Sequence, residues 1–319
     1  MQSLQPIKIE DIVSVEGVDH LRDRLYVHWD ITTMCNYDCS YCYAKAQYGD
    51  KWQIPAIWKK QLEVINELEK STLPLFLGLL GGEPTMHQRY FQLLDLLEEK
   101  ILKHPDSRLY ITTNGSKSNE FFEKHKDSDG RIYVLWSIHA EYMNEETFKN
   151  VFENIKIMHK KGYKNKLNLM LHPAKKYWEF TKYMYNELNT LEYLRIHPHF
   201  IYGGINKDVQ YNKDFYEYFN FLENQRMKEF EYKTKSETFI LSDYEIFKNN
   251  LNEFKGWKCW QNNYEISSNC LISDQCFNRD WSEISFNFFK NITKIESKIC
   301  PHNFCSCDGL MKIHKEKNE

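Results

Sequence analysis

The chain has 319 residues, 42% hydrophobic and 27% charged, with a formal net charge of -3. That balance belongs to an ordinary folded protein and excludes a disordered one. It leaves no electrostatic footprint for nucleic acid, and no basic stripe interleaved with aromatics runs along the chain. The opening segment MQSLQPIKIEDIVSVEGVDH carries acids where a signal peptide needs a basic start and an apolar run. The longest apolar stretch, LPLFLGLLGG, is strand-sized and too short for a membrane span. The protein is therefore expected in the cytoplasm, with no membrane partner, where thiols stay reduced. Its nine cysteines, odd in number, read as metal ligands rather than a disulfide framework.

In chain order, short runs rich in β-branched and aromatic residues predict six strands. They are RLYVHWDITT (24–33), LPLFLGLLGG (73–82), SRLYITTNGS (107–116), RIYVLWSIHA (131–140), NKLNLMLHP (165–173) and LRIHPHFIYGG (194–204). Between them, apolar residues return at three- and four-residue steps. Ile54, Ile57, Trp58, Leu62, Ile65 and Leu68 form one such series. Tyr90, Phe91, Leu94, Leu97 and Ile101 form another, and Phe148, Phe152, Ile155 and Met158 a third, with Gly162 placed to end it. Six consecutive strand–helix units predict an α/β fold with a parallel sheet and helices outside it. They are too few for a closed eight-stranded barrel and suit a partial (β/α)6 barrel. After about residue 205 the pattern breaks, and six cysteines crowd into 259–307. The expected division is an N-terminal extension over 1–23, the partial barrel over 24–205 and a small cysteine-rich domain over 206–319.

In such folds chemistry gathers at the C-terminal ends of the strands. The unusual residues fall there: Cys35 after the first strand, Gly81, Gly82 and Glu83 after the second, Asn114 after the third. Ser137, His139 and Glu141 follow the fourth, His172 the fifth, and His197 and His199 ride on the sixth. Cys35, Cys39 and Cys42 form a C-x3-C-x2-C loop that gathers three sulfurs around one centre. Zinc normally takes four protein ligands, and an iron–sulfur cube normally takes four cysteines. Three cysteines leave one iron open, or a distant fourth closes the site; spacing alone does not choose.

The loop CNYDCSYCY resembles the cluster loop of radical S-adenosylmethionine (radical SAM) enzymes, including Tyr41 before the third cysteine. GGEP at 81–84 is similar to that family's second motif. TTNGS (112–116) and WSIHAE (136–141) stand where the family places further cofactor contacts. The resemblance covers residues 24–205. The tail, GWKCWQNNYEISSNCLISDQC…ICPHNFCSCDGL, is similar to the auxiliary-cluster domains of the twitch and SPASM types. Cys259, Cys276, Cys300, Cys305 and Cys307 fit their order. The turn glycine of those domains is missing, and Asn269 or Cys270 stands near its place. Two all-cysteine clusters need eight thiolates, so one auxiliary [4Fe-4S] cluster, ligated by four of the tail cysteines, fits six.

The resemblance implies a [4Fe-4S] cluster with an open iron at Cys35, Cys39 and Cys42. It implies S-adenosylmethionine (SAM) bound near Tyr41, Gly81, Gly82, Glu83, Thr113, Asn114, Ser137 and His139, and a hydrogen-abstracting 5′-deoxyadenosyl radical. The glycines would let the backbone approach the SAM methionine, and Glu83 would accept from its ammonium. Ser137 reads equally as a ribose contact or a helix cap. Thr113 and Asn114 read equally as ligands or as turn residues, and Tyr41 and Tyr43 as adenine neighbours or packing. His172, His197 and His199 are candidate catalytic or substrate groups. Cys270, in excess of the ligand count, is a candidate hydrogen-atom donor. The implied partners are a small-molecule (sugar-like) or peptide substrate and a low-potential electron donor such as flavodoxin or ferredoxin. Oxidation, cross-linking or epimerisation are the expected reaction types. The competing readings are a zinc-stapled, non-catalytic binding protein and an electron-transfer protein.

Overall fold

A computed structural model describes residues 7–42, 57–201, 211–225, 229–242, 245–246, 249–274, 276, 280–305 and 311–318. The elements run β1 (Ile12–Gly17), β2 (Leu25–Thr32), α1 (Trp58–Glu69), β3 (Leu75–Gly81), α2 (Tyr90–Ile101), β4 (Arg108–Thr113) and α3 (Asn119–Glu123). Next come β5 (Ile132–His139), α4 (Glu145–Lys160), β6 (Lys164–Leu171), α5 (Trp178–Leu188), β7 (Arg195–Phe200) and α6 (Lys213–Tyr218). The remainder is β8 (Phe230–Thr234), β9 (Thr238–Leu241), β10 (Lys258–Trp260), β11 (Asn263–Ile266), β12 (Leu271–Ser273), β13 (Ser282–Glu283), α7 (Phe288–Asn291), β14 (Ser297–Ile299) and β15 (Lys315–Glu316).

Strands β2 to β7 pair in parallel and in chain order, at the six positions the sequence predicts. Alternation sets their two faces. In β2, Leu25, Val27, Trp29 and Ile31 join the core under the helices, and Tyr26, His28 and Asp30 point to the concave side. The sheet curves without closing, as a partial barrel. Aromatic rings fill its lower lumen: Phe76 stacks on Tyr110 with centroids 5.1 Å apart and meets Tyr26 at 5.6 Å. Gly78 makes room for Tyr110, because a Cβ there would stand 2.0 Å from the Tyr110 ring. No helix among the described residues is long and apolar enough to cross a membrane.

Part of the tail after residue 205 joins the barrel sheet. Its β11 adds to β2 in parallel, with Ile266 opposite Trp29, and carries β12 and β13 beyond it in a nine-stranded sheet. A second, six-stranded sheet runs β14-β10-β15-β1-β8-β9, so the N-terminal extension is one of its central strands. Its own core gathers Ile12, Val15, Phe230, Tyr232, Leu251 and Phe254. Asn262 ties the sheets, its Nδ2 donating to the carbonyls of Arg24 (2.8 Å) and Leu21 (3.3 Å). These are contacts between residues some 240 positions apart, which local patterning does not encode.

Candidate active site

Thr33 and Met34 carry the chain from the end of β2 into Cys35, and the ends of β3, β4 and β5 hold the loop that follows. From β3, Gly82 N–H donates to the Thr32 carbonyl and Glu83 N–H to the Met34 carbonyl, both at 2.8 Å. A Cβ on Gly81 would stand 2.0 Å from the Thr32 oxygen, and one on Gly82 2.4 Å from the Met34 oxygen. Gly81 also has φ +120°, a conformation only glycine adopts readily. The sequence points these glycines at the SAM methionine; the space their missing side chains leave is taken by the root of the cysteine loop.

Glu83 is 1% exposed. Its Oε1 accepts from Thr85 N–H (3.0 Å), Thr85 Oγ1 (2.6 Å) and Thr113 Oγ1 (2.8 Å), and its Oε2 accepts from Asn114 N–H (2.6 Å). Burial pushes its carboxyl above the usual range, against the pull of these four donors. A carboxylate offers about four lone pairs, so this one is first a brace between β3 and β4. Asn114 Nδ2 in turn donates to Asn36 Oδ1 at 3.0 Å, and Asn36 Nδ2 to Ser116 Oγ at 2.8 Å. Thr113 and Asn114 thus act on the loop rather than open toward a ligand. Their neighbour Thr112 sits on the other face of β4, the concave one, and its buried Oγ1 has no hydrogen-bond partner among the described residues.

From β5, Glu141 Oε2 accepts from Ser40 N–H at 2.9 Å and Oε1 from Ser40 Oγ at 2.6 Å. Tyr142 Oη accepts from Asp38 N–H at 2.9 Å, and its ring stacks on Tyr37 with centroids 4.5 Å apart. Tyr41 is buried. It shares a hydrogen bond with His139 Nδ1 at 2.9 Å, and its ring centroid lies 5.7 Å from that of His172. His172 Nε2 stands 3.3 Å from Glu141 Oε1. Burial pulls His139 down to about 4, so it is neutral near pH 7, and it pulls His172 down too, against Glu141. Met170 packs on this cluster from β6. Ser137 and His139 share the concave face of β5.

The donor set fits an iron–sulfur centre. Tyr37 N–H donates to Cys35 Sγ at 3.4 Å, a bond of the kind that orients a ligating thiolate. Burial pushes the Cys35 thiol up to about 11 and Cys39 higher still, with Glu141, Cys42 and Cys35 adding to the push on Cys39. A bound metal centre supplies the positive charge that makes thiolates the stable form there. Among the described residues no three His, Cys, Asp or Glu side chains close around a single ion; ligands to separate irons of one cube stand further apart than ligands to one zinc.

The tail cysteines meet at the second sheet. Cys259 lies on β10, and the charges that push its thiol up, after burial, are those of Cys300 and Cys305. Cys276 responds to Cys305, Cys259 and Cys300 in the same way. Cys300 N–H donates to Trp257 O at 2.8 Å, Cys305 N–H to Asn252 O at 2.9 Å, and His302 Nε2 bonds Cys276 O at 2.6 Å. Cys259, Cys276, Cys300 and Cys305, from three segments, thus lie within electrostatic reach of one another, while Cys307 and Tyr43 lie outside the described residues. Cys270 takes no part. It, and not Asn269, adopts the left-handed turn conformation (φ +63°), and it lines a surface groove with Lys60 and Glu63 of α1. That puts it under an outer helix, away from the concave face, which removes the basis for a hydrogen-donor role. His197 and His199 do share one face of β7, the concave one, with ring centroids 5.5 Å apart.

Residues 29–184 match the family model described as the Radical SAM superfamily. This chain carries a radical SAM domain. Curated relatives match in a short stretch. An S-adenosylmethionine-dependent nucleotide dehydratase of Fibrobacter sp. (strain UWH6) is 34% identical over 98 residues, covering 29% of this chain and 28% of the relative. One of the same description from Selenomonas ruminantium is 31% identical over 90 residues, 28% of this chain and 30% of the relative. The matches thus span under a third of those relatives' length. Among solved structures, native anSMEcpe with bound AdoMet superposes at a TM-score of 0.53 with 14% identity, covering 84% of this chain and 79% of that one. Streptococcus suis SuiB bound to S-adenosylmethionine gives 0.52 with 18% identity, over 86% and 64%. At these identities they share the fold with the radical SAM domain and its extension.

Within the radical SAM domain, sequence reasoning passed over Thr112, Asn36, Ser40 and Tyr142. Strand alternation alone separates Thr112 from Thr113, since Leu109, Ile111 and Thr113 are the buried series of β4. The loop-holding role of Asn36, Ser40 and Tyr142 had no local signal.

Proposed function

We propose that this protein is a radical SAM enzyme with one auxiliary cluster. Cys35, Cys39 and Cys42 would hold a four-iron cluster with an open iron for SAM, and Cys259, Cys276, Cys300 and Cys305 a second cluster. One observation carries the reading: GGEP, TTNGS and WSIHAE, from three different strand ends, all converge on the C-x3-C-x2-C loop. When bound, the cluster and SAM supply a 5′-deoxyadenosyl radical that takes a hydrogen atom from substrate. The chain's own residues hold and shield that site. Glu83, Asn114 and Glu141 fix the loop; Tyr41, neutral His139 and Met170 wall it against water; Thr112 Oγ1 and Ser137 remain on the concave face for polar contacts to SAM or substrate.

The opposite, N-terminal end of the lumen opens into a cavity of about 670 Å³. Arg24, Lys164, Lys166, Arg195 and Lys312 line it against Asp19 and Glu229, and Tyr26, Phe76 and Tyr133 supply ring faces. This cavity lies at the end of the sheet opposite the cysteine loop, beyond the rings of Tyr26, Phe76 and Tyr110, so it does not hold the reacting group; a nucleotide substrate is supported by the relatives named as nucleotide dehydratases. A peptide is the second reading, favoured by neighbours such as SuiB, which has been solved with its precursor peptide SuiA. The test is anaerobic. The reconstituted protein with dithionite and SAM should release 5′-deoxyadenosine, and nucleotides should raise the rate more than peptides do. No 5′-deoxyadenosine above the level of a Cys35, Cys39 and Cys42 triple alanine variant would refute the enzyme reading.

A further inference from the structure

The N-terminal end of the barrel carries charge that the fold does not use. Lys166 of β6 stands directly opposite Arg195 of β7, and both line the cavity on the concave side. Like charges facing each other across paired strands are destabilising. Lys164 lies two residues earlier, on the same face of β6. The carboxylates of the cavity are Asp19 and Glu229. Glu229 is taken by Lys312 at 2.6 Å, and Asp19 is exposed. Among the described residues, neither forms an ion pair with Lys166 or Arg195. Arg24 adds a guanidinium to the same wall. One of its nitrogens donates to the Asp106 carbonyl at 2.8 Å, while its buried Nε has no hydrogen-bond partner among the described residues. Buried donors normally find an acceptor.

Lysines on a convex surface are simply solvated. Here they line a cavity of about 670 Å³ whose wall includes packed rings. Tyr133 meets Phe76 with centroids 5.8 Å apart, and Lys164 Nζ stands 5.1 Å from the Tyr133 ring centroid. Charge of one sign on a concave, low-dielectric wall focuses the field toward a counter-ion. Arginine offers phosphate oxygens a planar fork of donors, and lysine offers a point charge. Several unmatched cations suit an anion of several charges. We propose that this end of the barrel binds a multiply charged phosphate anion, held chiefly by Lys166 and Arg195, at a site separate from the cysteine loop. The facing cations are then a cost in stability kept for a ligand. The proposal does not depend on the enzyme reading.

The test is calorimetric titration of the full-length protein with inorganic pyrophosphate, at an ionic strength held constant with potassium chloride. One anion should bind per chain, and equally well to the Cys35, Cys39 and Cys42 triple alanine variant. Lys166→Met and Arg195→Met should each weaken binding at least about tenfold. Without the anion, neither should melt below the wild type, because each relieves the repulsion; if one fails to fold, the other carries the test. Lys149→Met, on an exposed position of α4, should bind as the wild type does. Adenosine diphosphate is the second arm. Tighter binding than pyrophosphate, with the same loss in Lys166→Met, supports the site with an organic diphosphate as its ligand; weaker binding with that loss supports it with the free anion. No binding of either anion overturns the proposal. So does binding that Lys166→Met and Arg195→Met leave unchanged, or that all three variants weaken alike, or that the triple alanine variant loses.

Discussion

Gly81→Ala is expected to cost the protein its first cluster while sparing the second. The added Cβ would lie 2.0 Å from the Thr32 carbonyl oxygen, and the φ of +120° is strained for any L-residue. The neighbour that must give way is backbone, three residues before Cys35, so the strain falls on the cysteine loop. A local cost of roughly 3–5 kcal/mol is in keeping with an overpacked, wrong-φ site. A displacement of about 1 Å at the reacting geometry costs roughly a hundredfold in rate, and 5′-deoxyadenosine formation should fall by at least that. Iron should drop from about eight to about four per chain. Gly256→Ala is the control. Its φ of +84° is also positive, but nothing lies within 4 Å of the added Cβ, so a loss of about 1 kcal/mol with normal iron is expected. A Gly81→Ala protein with wild-type iron and turnover would mean that the loop is not seated on β3 as described.

Glu83→Gln separates two roles for that side chain. The sequence offers Glu83 as an acceptor for the SAM ammonium; the structure already occupies it with four donors. An amide must turn either its NH₂ or its carbonyl toward them, so a buried donor then faces donors. Losing one partner of such a network costs roughly 3–5 kcal/mol, which lowers the apparent Tm by about 5–15 °C. The decisive condition is the absence of SAM. A brace weakens the protein with or without the cofactor. A melting curve unchanged without SAM, and lowered only in its presence, would return Glu83 to a ligand role alone.

The six barrel strands were legible because parallel strands covered on both faces read as short runs rich in apolar and aromatic residues, and their ends were legible because glycines, cysteines and histidines interrupt those runs. Gly81, Glu83 and Cys35 were therefore found, but their mutual geometry was not. Nothing local says that the space left open by Gly81 belongs to Thr32 rather than to a ligand. Thr112 was missed although alternation with Leu109 and Ile111 places it on the concave face. The tie between tail and barrel was not legible, because β11 joins the barrel sheet by pairing with β2, a contact across the length of the chain. Cys270 stood out as a surplus thiol, yet only the fold shows that its turn packs under α1. Lys315, in a lysine-rich terminus reading MKIHKEKNE, looks like one more solvated cation until β15 carries it into the core.

The central claim is that two separate cysteine sets hold two iron–sulfur clusters. Iron and acid-labile sulfide should be counted after anaerobic reconstitution of the wild type, of the Cys35, Cys39 and Cys42 triple alanine variant, and of a Cys259, Cys276, Cys300 and Cys305 quadruple alanine variant. The account predicts about eight irons in the first and about four in each of the others. Zinc in place of iron, or the same iron content in all three proteins, would contradict it.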